Sequence, residues 1–393
     1  MLVAQVVTRF IAGAGGVALR GSLALQRAGY SIAILTADGG DLLGEAEGAG
    51  LQVVRLRHMR PEINPREDFL ALNELRQALF RLRPAVVHTH SAKAGAIGRL
   101  AAHQLASAAI VHTFHGFPFH SFQRPWTRRG YIAAERRLGR ITDRFLAVGS
   151  AVAAEAVRLR IAPPERVRTI ASAIDPAIGR STTQDRLVAR ARLSAVGVPD
   201  GVKLVGTVGR LDNQKAPRHM LEAIKHLHPR DVHFAWVGGG PLQQEMEKRI
   251  IGAGLRGRFH LLGQRNDVGQ LLPAFDVFAM ASLYEGLPCA MVEAVMCGVP
   301  VVATSVNAVP EVVHPGRTGL LVPAARPELL GRAIAFLLDH PDEGRRMAAE
   351  ARRLIGDRFQ PDLLGADLDE TYTRALTERA LRPTRAVTEG LTA

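Results

Sequence analysis

Cysteine and lysine are scarce in this chain, and long apolar runs are absent. The two cysteines, Cys289 and Cys297, cannot build a disulfide framework or a cysteine zinc site. A reducing cytoplasm fits that count. No stretch approaches the roughly 18 uncharged apolar residues that a membrane-spanning helix needs. The opening MLVAQVV runs straight into a Gly-rich turn, so a first β-strand is expected there rather than a signal peptide. Lysine occurs only at Lys93, Lys203, Lys215, Lys225 and Lys248, so arginine carries most of the net charge of +13. Such an excess fits a coding bias toward arginine, an anionic membrane or nucleic acid, and clustering must decide between them. Neither a short repeat nor a low-complexity segment is present.

What the sequence does contain is alternation. Its 393 residues, 47% hydrophobic and 22% charged, suit two soluble cores of nearly equal size. Short apolar runs near residues 2–8, 31–36, 52–56, 85–89, 109–113 and 144–148 are each followed by a turn and mostly by an amphipathic segment. That rhythm predicts an α/β fold with parallel strands and helices on both sheet faces. It breaks at AIDPAIGRSTTQDR, a polar stretch without apolar period, and restarts at VKLVGTVGRL. Two Rossmann-like, doubly wound domains are therefore predicted, over 1–178 and 179–358, the second beginning with a linker over 179–200. Helices are expected over 326–339, 341–358 and 361–378, and residues 359–393 form a terminal helix and tail. In such sheets ligands bind beyond the carboxyl ends of the strands, so two domains face to face make one central cleft.

The segment DVFAMASLYEGLPCAMVEAVMCGVPVVAT places chemistry at one such strand end. A strand finishes near Ser282, Pro288 suits a first helical position, and Gly298 with Pro300 stop the helix. Glu285 lies in the loop, and Glu293 is the only charge in an apolar helix. A carboxylate there must be paired or hydrogen-bonded. It either pairs with an arginine of a neighbouring element or accepts hydroxyls, and a vicinal diol suits its two oxygens. The amides of Gly286, Leu287, Pro288 and Cys289 surround a helix start that attracts phosphate, proline excepted as a donor. A phosphorylated sugar would also need cations, and LVGTVGRLDNQKAPRHMLEAI offers Arg210 and Lys215 between a strand and a helix.

Taken in order, GTVGRLDNQKAP, WVGGGPL, EGLPCAMVE and EAVMCGVPVVAT with VPEVV resemble glycosyltransferase family 4 along essentially the whole chain. The resemblance implies the GT-B fold, a retaining reaction and a nucleoside diphosphate sugar donor, with uridine the preferred base. It implies Arg210 and Lys215 on the diphosphate, Glu293 on the ribose, Glu285 on the sugar, and the loop Gly286–Cys289 lending amides. Two stretches depart from the family pattern: SVNAVPE, which reshapes the pocket at Asn307 and Ala308, and ASAID at the interdomain crossing.

In the first half, GAGG resembles the family's phosphate turn, which would bring Gly15 and Gly16 close to the donor; a tight turn alone is the alternative. His88, His90, His112 and His115 surround two strand ends, without the carboxylate or cysteine that would favour a metal. Similarity points to His115 as a cleft residue, and His90, Lys93 and Arg99 are candidates on the acceptor side. Asp367-Leu-Asp369 looks like a metal motif but lies within a helix, where its acids point apart. No essential metal or other cofactor is expected. Over 122–140, arginines interleaved with Phe122, Trp126, Tyr131 and Leu138 make either a solvated face or a surface for anionic membrane, as in enzymes of lipid-linked or exported polysaccharides. Nucleic acid is not expected, since no binding motif accompanies them. A cytoplasmic location, peripheral on the membrane, follows as the expectation. The rival readings are a nucleotide-sugar epimerase of similar fold and a non-catalytic partner protein.

Overall fold

A computed structural model describes residues 1–105, 107–227 and 231–381. The first sheet holds β1 (Leu2–Val7), β2 (Ser31–Ala37), β3 (Gln52–Leu56), β4 (Val86–His90), β5 (Ala109–Phe114), β6 (Arg144–Ala147) and β7 (Val167–Thr169). The second holds β8 (Lys203–Val208), β9 (Val232–Val237), β10 (Phe259–Leu261), β11 (Val277–Met280), β12 (Val301–Thr304) and β13 (Leu320–Val322). Their orders are β3-β2-β1-β4-β5-β6-β7 and β10-β9-β8-β11-β12-β13, and the registered pairs are parallel throughout. Helices cover both faces, which is why the strands read as continuous apolar runs. Strand order reverses between β1 and β4 and between β8 and β11. In sheets of this kind such switch points are where ligands bind.

Short strands escape a periodicity reading, and β7 and β13, of three residues each, were not expected. The stretch expected as a linker also differs: it contains the helix Thr183–Ser194, started by a reciprocal capping box between Thr182 and Asp185. Its Arg186 and Arg190 both pair with Asp276, at 2.6 and 2.8 Å, fixing the helix to the second domain. Pro288 is the N-cap of the helix Cys289–Met296 rather than its first residue.

The helix Pro361–Ala380 returns to the first domain. Leu364, Leu368, Tyr372 and Ala375 are buried in one cluster with Val3, Leu25 and Val111. Each large apolar side chain so buried contributes roughly 1.5–3 kcal/mol. The approach is close enough to require glycine, since a Cβ on Gly365 would stand 2.7 Å from Ala24 Cβ. Asp367 pairs with Arg168 at 2.6 Å and Asp369 accepts from Tyr30, so both acids of the apparent metal motif serve this docking. The tail beyond Leu381 lies outside the described residues.

Candidate active site in the interdomain cleft

The loop after β8 carries the cations. Trp236 Nε1 donates to Gly209 O at 2.8 Å, and Gly238 approaches the same carbonyl so closely that a Cβ there would stand 2.2 Å from it, at φ +133°. Thus braced, the loop presents Arg210, whose Nε donates to Asp212 Oδ2 at 2.8 Å while much of the side chain stays in solvent. Asp212 Oδ1 also accepts from the Lys215 amide at 3.1 Å. One carboxylate therefore sets both cationic residues. Ala216, the N-cap of the helix Pro217–Lys225, has φ 48°, a conformation costly for a residue with a Cβ.

Lys215 Nζ donates to Glu285 Oε1 at 2.6 Å, and Gln214 Nε2 to Oε2 at 3.3 Å. Glu285 itself is 7% exposed, and its amide donates to Asn307 Oδ1 at 2.9 Å. Asn307 sits at φ 44° in the SVNAVPE turn, so the departure from the family pattern supplies a hydrogen bond to the Glu285 loop. The cation and carboxylate assigned separately to phosphate and sugar are here a single pair, which a ligand would share or divide.

Glu293 is less well satisfied. Its nearest cation among the described residues is Arg20, with Nη2 4.0 Å from Oε1, too far for a hydrogen bond. Burial pushes its carboxyl above the ordinary range; Arg20 opposes that shift and Asp175 adds to it. Arg20 comes from the helix Ala14–Arg27, whose first turn contains Gly15 and Gly16. A Cβ on Gly16 would stand 2.7 Å from Arg20 Nη1, so the small residue leaves the guanidinium room beside Glu293. The neighbouring Cys289 thiol is pushed up to about 11, mainly by burial, which keeps it protonated and poorly nucleophilic.

The two domains meet at this point. A Cβ on Gly286 would stand 2.2 Å from His115 O, and the rings of Tyr284 and His120 stack at 4.1 Å. Glu311 Oε1 accepts from the Ala151 amide at 3.2 Å, at the start of the helix Ser150–Arg158. His115 is partly exposed, and its Nε2 lies 2.9 Å from His90 Nδ1. Burial lowers His115 to about 4 and His88 to about 3, so both are neutral at pH 7. His88 bonds Tyr372 and Thr113 and His112 bonds Thr89, and among the described residues no group of three or more His, Cys, Asp or Glu is arranged to hold a metal.

Arg99 corrects the sequence reading. It is fully buried, donating to Glu135 at 2.8 Å and to Gly95 O at 2.7 Å, and so cannot reach an acceptor phosphate. Its place on the inward face of the helix Ala92–Ala102 explains this, because a buried guanidinium needs its carboxylate. Lys93 is held within its own domain, 2.6 Å from Asp68 Oδ1. His90 is buried at 2% exposure, behind His115 rather than on the cleft wall. Further out, the helix Pro125–Gly139 and its lead-in leave Trp126 66% and Phe122 57% exposed, with Arg124 over the Trp126 ring at 5.4 Å.

Sequence reasoning missed Asp212, Gln214 and Arg20, whose roles depend on neighbours brought by other elements. Gln5 was legible in principle, as the lone polar residue of LVAQVV.

Two parallel-sheet domains with this cleft define a GT-B glycosyltransferase, and comparison with known proteins agrees. Residues 11–178 match the model described as Glycosyltransferase Family 4, and residues 202–340 that described as Glycosyl transferases group 1. The chain is 30% identical over 321 residues to the 2-deoxystreptamine N-acetyl-D-glucosaminyltransferase of Streptomyces fradiae, covering 77% of this chain and 72% of that one. It is 31% identical over 251 residues to the UDP-Gal:alpha-D-GlcNAc-diphosphoundecaprenol alpha-1,3-galactosyltransferase of Escherichia coli. That match covers 61% of this chain and 63% of the relative's length. In fold it is similar to HepE of Anabaena in complex with UDP-glucose, with TM-score 0.80 at 20% identity, over 95% of this chain and 99% of that one. The chain belongs to this glycosyltransferase family.

Proposed function

We propose that this chain is a retaining enzyme that moves a sugar from a nucleoside diphosphate sugar, with UDP the preferred carrier, to a hydroxyl of a lipid-linked sugar or growing polysaccharide. The observation that carries the reading is the pairing of Lys215 with Glu285 and of Arg20 with Glu293, beside a Gly286 packed on the His115 backbone, where two doubly wound domains face each other. Arg210, tied to Asp212 through Nε and Nη2, keeps its Nη1 for an anion. Together with Lys215 and the amides of Gly286, Leu287 and Cys289 it would stabilise the departing diphosphate, the main charge that develops in the reaction. Glu293, beyond hydrogen-bond reach of Arg20, would accept both ribose hydroxyls, and Glu285 would hold the donor sugar. Gly15 and Gly16 would let the backbone near the donor. His115 would contact the donor sugar or the acceptor, with Lys93 at the acceptor side. No cofactor or essential metal enters this scheme.

Support for a lipid-linked acceptor comes from the Escherichia coli relative, whose name gives a diphosphoundecaprenol-linked sugar as its acceptor. The exposed Trp126 and Phe122 beside Arg124 suit the headgroup layer of an anionic membrane, which would make the enzyme peripheral on the cytoplasmic face. No described helix is long and apolar enough to cross a membrane. Flotation with phosphatidylglycerol vesicles checks this surface: binding should drop at least about a hundredfold in a Phe122→Ala, Trp126→Ala double variant, at roughly 1.5 kcal/mol or more per aromatic lost.

The reaction is tested by incubating the enzyme with UDP-, GDP- and ADP-sugars and with polyprenyl diphosphate sugar or saccharide acceptors, and reading the anomeric configuration of the product by NMR. Transfer with the donor's configuration kept supports the reading. Conversion of the donor without acceptor would make the protein an epimerase, and no turnover of any donor would leave a binding protein.

A further inference from the structure

β1, β4 and the terminal helix bury a polar chain that the scheme above does not use. Tyr372 OH lies 2.6 Å from His88 Nδ1 and accepts from Gln5 Nε2 at 3.2 Å. His88 Nε2 is 2.7 Å from Thr113 Oγ1. Gln5 Oε1 is 2.8 Å from His90 Nε2, and His90 Nδ1 is 2.9 Å from His115 Nε2. Gln5, His88, His90, Thr113 and Tyr372 are all at most 2% exposed, so each polar atom must find its partner inside the chain. Sheet register makes the arrangement possible, because Gln5 of β1 stands opposite His88 of β4.

With the Gln5 amide placed Nε2 toward Tyr372 and Oε1 toward His90, donor and acceptor counting orients the remaining bonds. A neutral imidazole has one N–H, and a side-chain amide has one accepting oxygen and one donating nitrogen. Gln5 Oε1 accepts, so His90 carries its proton on Nε2 and its Nδ1 is an acceptor. His115 must then donate from Nε2, which leaves its Nδ1 as a lone pair. At the other end the Tyr372 hydroxyl, accepting from Gln5, can donate to His88 Nδ1, and His88 can donate from Nε2 to Thr113. Each tautomer follows from that amide orientation, because the Tyr372 and Thr113 hydroxyls can either donate or accept. The lowered pKa values of His88, His90 and His115 agree with neutral rings, all three depressed chiefly by burial.

We infer that Tyr372, Gln5 and His90 are positioning residues that hold His115 with its proton on Nε2, so that Nδ1 is the ring atom available to accept a hydroxyl in the cleft. The inference rests on the reading of His115 as a cleft residue. It also gives the returning terminal helix a role in the active site, since its Tyr372 hydroxyl is the partner of the Gln5 amide nitrogen. Without that hydroxyl the amide can turn over and present nitrogen to His90 Nε2. His90 would then protonate on Nδ1, and His115 on its own Nδ1.

The test is a ring 15N spectrum of the full-length protein labelled in histidine, with His90 and His115 assigned through His90→Asn and His115→Asn variants, alongside kinetics of Tyr372→Phe. In the wild type both rings should carry the proton on Nε2. In Tyr372→Phe a second tautomer of His115 should appear. Turnover of the donor identified by the panel above should fall at least about tenfold, with UDP affinity unchanged, because a misoriented hydrogen bond acts on the reacting geometry. A lost packing contact alone would lower thermal stability and leave tautomer and kcat as they were. A wild-type His115 protonated on Nδ1 overturns the inference even if the variant does not fold, as does a folded Tyr372→Phe with unchanged kcat. If His115→Ala turns over like the wild type, the cleft role of His115 itself is wrong. An inactive His115→Ala beside a fully active Tyr372→Phe removes only the positioning chain.

Discussion

Glu285 and Glu293 share one loop and helix but not one electrostatic setting. Glu285 is neutralised by Lys215 at 2.6 Å, whereas Glu293 has its cation at 4.0 Å. In Glu285→Gln the hydrogen-bonding shape survives but Lys215 loses its counter-charge. Breaking a fully buried pair costs about 3–5 kcal/mol; here Lys215 keeps 19% of its side chain in solvent, so a loss of roughly 1–3 kcal/mol is expected by denaturant unfolding. Turnover should fall by about two orders of magnitude, the scale of losing one electrostatic contact in a reacting site. The histidines give a second residue-scale prediction. His115 and His88 fall from 6.5 to about 4 and about 3, so the unfolded chain binds more protons between those values. Their contribution is intact above pH 6.5 and is lost as pH falls through that window, by up to about 1.4 kcal/mol per pH unit for each group. Urea midpoints measured from pH 7 to 4 should decline accordingly, and decline less in His115→Asn. A midpoint that rises on acidification would contradict the buried neutral network.

Among the elements, the loop between β11 and the helix Cys289–Met296 is the most constrained. A methyl on Gly286 would collide with the His115 backbone across the cleft, at 2.2 Å, where neither side is a flexible side-chain end. Gly286→Ala should therefore prevent the two domains from meeting. Turnover should drop by at least about tenfold while each core stays folded, since small misplacements at a reacting centre are costly; circular dichroism and steady-state kinetics would check both. Elements also show how far the sequence could be read. Strands with near-continuous apolar runs and helices punctuated by proline and glycine were legible, because local periodicity is set by the buried faces. β7 and β13 were too short to show a period, and the helix Thr183–Ser194 is mostly polar, held by its cap and by Asp276 rather than by an apolar stripe. The segments carrying Lys215 and the glutamates could be found because their residue types fit one ligand chemistry. Their mutual pairing could not, since Lys215 and Glu285 belong to different βα units. Arg99 misled for the same reason, as its partner Glu135 lies on another helix.

At the scale of the whole molecule, the cleft is closed by contacts drawn from both domains. Arg20 faces Glu293, Gln264 donates to Asp41, Tyr284 stacks on His120, and Glu311 caps the amide of Ala151. The terminal helix, leaving the second domain and docking on the first, places Tyr372 beneath the cleft histidines. Closure of this kind excludes water. None of these pairings is written in any local stretch of sequence, because each joins groups from opposite domains. A nucleoside diphosphate held in this cleft would rest on Lys215 and Glu293. Titration calorimetry with UDP, GDP, ADP and NAD on the wild type and on Glu293→Gln tests it most directly. One nucleoside diphosphate, UDP before the others, should bind selectively, and its affinity should fall by roughly 1.5–3 kcal/mol in the variant as charge-assisted hydrogen bonds are lost. Binding of NAD alone, or equal affinity in the variant, would contradict it.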